Sequence, residues 1–169
     1  MKMTSAEANK LLRKLREEHE ALTDMECENR TFTAATVEKE EDARPDYDYE
    51  GTQRRLEELE QKILCLKHSI NLFNVHKEVP GEVMTIDQAL VRIPQLSDRK
   101  RKLGNMRSVP RKKRSTQSRS SSLIEYSYAN YDPAKADEDY RAVTDELARL
   151  QNALDLVNST VRFNVDIVE

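Results

Sequence analysis

Two stretches of this chain space their apolar residues by alternating steps of three and four. Leu56, Leu59, Ile63, Leu66, Ile70 and Phe73 form the first series, and Tyr140, Val143, Leu147, Leu150, Leu154 and Val157 form the second. A mean step of 3.5 puts such residues in a narrow seam along one side of an α-helix, the arrangement of coiled-coil packing. Charges in "RRLEELEQK" flank the first seam. A helix cannot bury such a seam by itself, so each needs another helix, from this chain or from a second copy. At about 22 residues and 1.5 Å per residue, each rod is ~33 Å long.

The spacing predicts four helices, over about 5–26, 52–75, 86–106 and 133–158. Thr4 or Ser5 can cap the first, whose stripe is Ala8, Leu12, Leu15, His19 and Leu22. Thr85 and Gln88 stand in capping-box relation before the third. Pro94 removes a backbone donor there and is expected to kink or divide it. Asp132 as N-cap and Pro133 at the first helical position announce the fourth. Strands are predicted over about 30–37, 123–129 and 160–168, from β-branched or alternating residues. The last two flank the fourth helix and are expected to pair across its ends. The second and fourth helices match at an offset of 84 residues and end alike, in "INLFN" and "LDLVN". An internal repeat gives such a match. So do any two heptad segments at a multiple of seven, although that leaves the shared L-x-N ending unexplained.

The predicted architecture is therefore mainly α. Long antiparallel helical hairpins with coiled-coil-like packing carry a small antiparallel β element, in a single domain over 1–169. Hydrophobic residues make up 37% of the chain and charged residues 35%, which favours long solvated helices over a thick globule. Gly51, Gly81 and Gly104 are the only glycines and lie far apart, which excludes phosphate-cradling loops and nucleophile elbows. No apolar run approaches a membrane span, and "MKMTSAEANK" has no apolar core of a secretory signal. Cys27 and Cys65 do not make a disulfide framework. These features lead to the expectation of a cytoplasmic protein with no membrane partner.

The net charge of −3 conceals a segregation. Residues 99–119 hold ten Lys and Arg and no acid. "RKRKLGNMR" reads as the end of the third helix, with Leu103 and Met106 on its stripe. Residues 107–122 read as a flexible basic connector containing Arg111, Lys112, Lys113 and Arg114. These four could neutralise phosphates in a salt-dependent way. The bland alternative is a solvated loop facing acidic helices. The tyrosines of "IEYSYANY" could stack on bases, but alternating tyrosines on a strand commonly pack on a helix and keep their hydroxyls wet. Cys65 and His68, at i and i+3, could offer two ligands to a metal. A structural site needs about four, so a small thiol and a polar-face histidine are the simpler reading. No residue is predicted to be catalytic, and no cofactor is expected.

"RPDYDYEGTQRRLEELEQKILCLKHSINLFNV", "TIDQAL", "IEYSYANYDP" and "LQNALDLVNSTVRFNVDI" resemble the septicolysin-like family of small, uncharacterised bacterial proteins. The resemblance runs from Arg44 to the end and more loosely over the first helix. It implies a bacterial, mostly helical, oligomeric protein and supplies no functional residues. The leading expectation is a homo-oligomeric scaffold or protein-interaction module without catalytic activity, self-associating through the two seams. The alternative is a nucleic-acid-binding protein using residues 99–119. An enzyme or metal-binding protein is the weaker one.

Overall fold

The computed structural model describes residues 1–115 and 124–167. The elements run β1 (Lys2–Thr4), α1 (Ser5–Asn29), α2 (Glu40–Ala43), α3 (Tyr49–His76), α4 (Ile86–Arg107), β2 (Lys112–Arg114), β3 (Tyr126–Tyr128), α5 (Pro133–Thr160) and β4 (Arg162–Asn164). The protein is mainly α with a minor antiparallel β component. Its residues gather into two compact units, Met1–His76 with Val157–Glu169, and Lys77–Leu156.

In the first unit α1 and α3 form an antiparallel hairpin. Residues near the end of α1 meet the start of α3, where Gln53 donates to Glu26, and His19 lies 3.3 Å from Glu60 further along. Ala8, Leu12 and Leu15 of α1 pack with Leu59, Leu66 and Ile70 of α3 in the core, joined by Met3 and Val165. Thr4 ends β1 and also caps α1. Its hydroxyl accepts from the Glu7 N–H at 3.2 Å, and the Glu7 carboxylate accepts from the Thr4 N–H at 2.8 Å. That backbone bond is the largest influence holding the Glu7 carboxyl below its usual range. β1 pairs antiparallel with β4, Thr4 opposite Arg162 and Met3 opposite Phe163.

In the second unit α4 and α5 also run antiparallel. Arg92 pairs with Glu146 at 2.8 Å and Arg107 with Asp137 at 3.1 Å. The Thr85–Gln88 capping box is present, with bonds of 2.9 and 3.3 Å. α4 is not divided at Pro94, which lies inside one helix of 22 residues. The capped start and the buried stripe of Ile86, Ala89, Leu96 and Leu103 hold both sides of the proline in one helix despite the lost donor. Before α4, Gly81 has φ +78° at the third position of a Val79–Glu82 turn, closed by a 3.1 Å bond from Glu82 N–H to Val79 C=O. Positive φ at that position defines a type II turn and favours glycine.

Three expectations are corrected. Residues 30–37 form no strand: Thr31, Thr33, Thr36 and Val37 are exposed, and among the described residues no strand pairs with them. The strands flanking α5 do not pair with each other. β3 pairs with β2 and β4 with β1, because a helix of 28 residues sets its ends ~42 Å apart. The stretch 107–122 is not simply a connector: Arg107 closes α4 and Lys112–Arg114 form β2, while 116–123 fall outside the described residues.

The two seams are covered within one chain. Leu59, Leu66 and Ile70 are buried in the first, and Val143, Leu147, Leu150, Leu154 and Val157 in the second, with Leu56, Ile63 and Phe73 half-buried. The buried members of both seams are therefore packed within one chain, while Leu56, Ile63, Phe73 and Tyr140 keep part of their surface exposed.

The repetition goes beyond the seams. Met3, Thr4, Ala8, Leu15, Leu22 and Met25 recur 81 residues later as Met84, Thr85, Ala89, Leu96, Leu103 and Met106. Tyr47, Asp48, Leu66 and Asn74 recur 84 residues later as Tyr131, Asp132, Leu150 and Asn158. Both threonines build a capping box, and both α3 and α5 have 28 residues. Each tyrosine hydroxyl reaches back to the end of the preceding long helix, Tyr47 to the Glu26 carboxylate at 2.7 Å and Tyr131 to the Met106 carbonyl at 2.8 Å. The first of these bonds pushes the Tyr47 phenol up to about 12. The chain is thus a duplicated helical hairpin.

Candidate functional site

The duplication isolates what the second copy has and the first lacks. Between α1 and α3 the connector carries only the single turn of α2. Between α4 and α5 the chain builds a two-stranded ribbon, β2 with β3. All six of its residues are exposed, so it buries no core on either side. Among the described residues the connector of the first hairpin has no counterpart to it.

Lys112 lies opposite Tyr128, Lys113 opposite Ser127 and Arg114 opposite Tyr126. Side chains alternate along a strand, and directly opposed residues share a face. One face therefore presents Lys112, Arg114, Tyr126 and Tyr128, and the other presents Lys113 and Ser127. Tyr126 is 47% exposed and Tyr128 63%, far more than a tyrosine packed on a helix would be. The Lys112 ammonium stands 4.1 Å from the Tyr126 ring centroid and 5.6 Å from that of Tyr128, within cation–π range of both. Among the described residues neither Lys113 nor Arg114 has an acidic partner.

The base of the ribbon is anchored. The Ser115 N–H donates to the Glu125 carbonyl at 2.9 Å and the Ala129 N–H to the Arg111 carbonyl at 3.1 Å, continuing the ladder at both ends. The Arg111 guanidinium donates to Asp132 at 2.8 Å. The same Asp132 oxygen caps α5 by accepting from the Ala134 N–H at 3.1 Å. The Ala134 N–H first, and Arg111 second, hold the Asp132 carboxyl below its usual range. Of the four basic residues singled out in the sequence, Arg111 is thus a strut. Lys112 and Arg114 share the tyrosine face, and Lys113 points the other way.

Charge is also unevenly shared. Lys77–Leu156 holds 15 basic and 12 acidic residues, whereas the remainder of the chain holds 13 and 19. Within the basic unit α4 adds Arg99, Lys100, Arg101 and Lys102, of which Arg101 pairs with Asp98. Arg107 lies 3.8 Å over the Tyr140 ring.

Cys65 and His68 line a groove of about 420 Å³ between α3 and β4, with the stacked rings of Phe73 and Phe163 and the side chain of Asp166. Among the described residues no group of three or more His, Cys, Asp or Glu is placed to hold a metal. The third histidine, His76, lies with Nδ1 2.8 Å from the Leu72 carbonyl of its own helix. No helix among the described residues is long and apolar enough to cross a membrane.

No family model and no curated protein matches the chain. Among solved structures it is similar to a functionally unknown conserved protein from Corynebacterium diphtheriae. The two share 20% identity at a TM-score of 0.63, over 97% of this chain and 100% of that one. At this identity the likeness shows the fold alone.

The tyrosine alternation in "EYSY" was legible in the sequence, but its partner strand was not. Three basic residues have no β-propensity to announce them, and only the pairing puts two of them beside the tyrosines.

Proposed function

We propose that this protein is a non-catalytic nucleic-acid-binding module and that the β2–β3 ribbon is its contact surface. The observation that carries this reading is the shared exposed face of Lys112, Arg114, Tyr126 and Tyr128. Cations meet phosphates, and tyrosine rings offer flat apolar surface to bases. Exposed aromatic side chains on an element that stabilises no core are a common mark of an interaction site. The local excess of basic residues in Lys77–Leu156 supports an anionic partner despite the net acidity of the whole chain.

With two cations on the face and a basic helix end in the same unit, binding is of the non-specific class, with Kd on the order of 10⁻⁴ to 10⁻⁶ M at physiological salt. Fluorescence anisotropy with labelled oligonucleotides over a salt series tests it. Arg114→Ala should weaken binding to every sequence and flatten the salt slope by about 1. Absence of binding at low salt to any oligonucleotide sinks the reading.

The scaffold reading relied on open seams, and burial or half-burial of those residues within one chain weakens its support. Kinship with the septicolysin-like proteins and a cytoplasmic setting remain compatible with the nucleic-acid reading and add no residue to the interface.

A further inference from the structure

We infer that the ligand of the ribbon is a single strand whose unpaired bases stack on Tyr126 and Tyr128, and that Lys112 holds those ring faces until the strand arrives. This rests on the nucleic-acid reading above and narrows it to one ligand class.

Tyr126 and Tyr128 are two positions apart on one face of β3, so their Cα atoms are about 6.6 Å apart. Bases within a duplex are stacked at about 3.4 Å per step, and both faces of an interior base are already covered by its neighbours. Two rings at twice that interval cannot both stack on such bases. A single strand can spread its bases to the tyrosine spacing and offer a free face to each ring. The ribbon also lacks the length for groove reading, with three residues in each strand.

Lys112 supplies the second part. Its ammonium is within 5.6 Å of both ring centroids and pairs with no carboxylate among the described residues. It therefore covers the surface that a base would use. A strand brings a phosphate with each base, so the ammonium can leave the rings for the phosphate as the bases take its place. Arg114, opposite Tyr126, is placed to contact the backbone on the same face. Lys113 and Ser127, on the other face, stand outside this exchange.

The experiment uses the full chain and a labelled strand of about 12 nucleotides, free or annealed to its complement, at one low salt concentration. The free strand should bind about 10-fold tighter than the duplex. Tyr126→Ala and Tyr128→Ala should each lose about 10-fold on the free strand and leave duplex binding unchanged. Tyr126→Phe and Tyr128→Phe keep the stacking surface and should bind as the parent does, which separates stacking from loss of the ribbon. The chain has six tyrosines and no tryptophan, so stacking should also quench tyrosine emission, and the two alanine variants should reduce that quenching. Duplex binding as tight as single-strand binding overturns the inference while leaving the nucleic-acid reading in place. So does indifference to both alanine substitutions. Equal competition by polyglutamate would reassign the face to acidic polypeptides, and binding of neither nucleic acid would remove both proposals.

Discussion

At the mouth of α5 one carboxylate oxygen of Asp132 accepts from the Ala134 N–H and from Arg111. The cap of the helix and the strut of the ribbon are therefore the same group. Its folded pKa lies below the unfolded value. The associated stability is present above the usual carboxylate range, near pH 4, and is lost as pH falls through the lowered pKa. Carboxyl-carbon NMR should show Asp132 titrating below the usual Asp midpoint, with the Tyr126 and Tyr128 resonances moving in the same acid step. A midpoint at or above about 4 would mean that the cap is not formed in solution. Asp132→Asn keeps a cap acceptor and loses the ion pair, so it should loosen the ribbon with little effect on the helix.

Among the elements, the long helices were legible because their seams and caps are local signals. Thr85 and Gln88 announced α4, and the seam announced α3, although α3 begins three residues before the predicted start, at Tyr49. There Asp48 accepts from the Gly51 N–H at 3.0 Å, and a Cβ on Gly51 would collide with that carboxylate. Of the short strands, β3 and β4 lie within the predicted 123–129 and 160–168, but β1, β2 and every pairing were not legible, because a strand of three residues is defined by its partner rather than by its own composition. The β-branched run at 30–37 shows the converse: propensity without a neighbour makes no strand. Basic residues hid β2 in the same way. Thr85→Ala should cost about 1 kcal/mol in urea unfolding at neutral pH, and Thr85→Ser should recover most of it.

For the whole molecule the seams have a definite consequence. The sequence alone could not tell whether helices α1 and α4 would cover them or whether other copies would. Leu59, Leu66 and Leu150 are nearly or wholly inaccessible within one chain. Static light scattering at micromolar concentration should therefore give the mass of one chain, 19.6 kDa. A stable dimer would mean that a different surface associates. The duplication was half-legible. The matching ends of α3 and α5 left an internal repeat open beside chance heptad alignment, while the paired Met-Thr and Tyr-Asp motifs acquire meaning only when each is seen capping or latching a helix.

The two cap threonines are tied down in a crossed manner. Thr85 bridges Glu78, which follows the last helix of the first hairpin. Thr4 pairs with Arg162, which follows the last helix of the second. Glu78 and Arg162 are themselves counterparts at the 84-residue offset. Each cap threonine is thus paired with the segment that follows the other hairpin. Two separate copies of one half-length hairpin could exchange tails in the same way and complete both pairs. In its connectivity the single chain thus has the pattern of two hairpins that exchange tails.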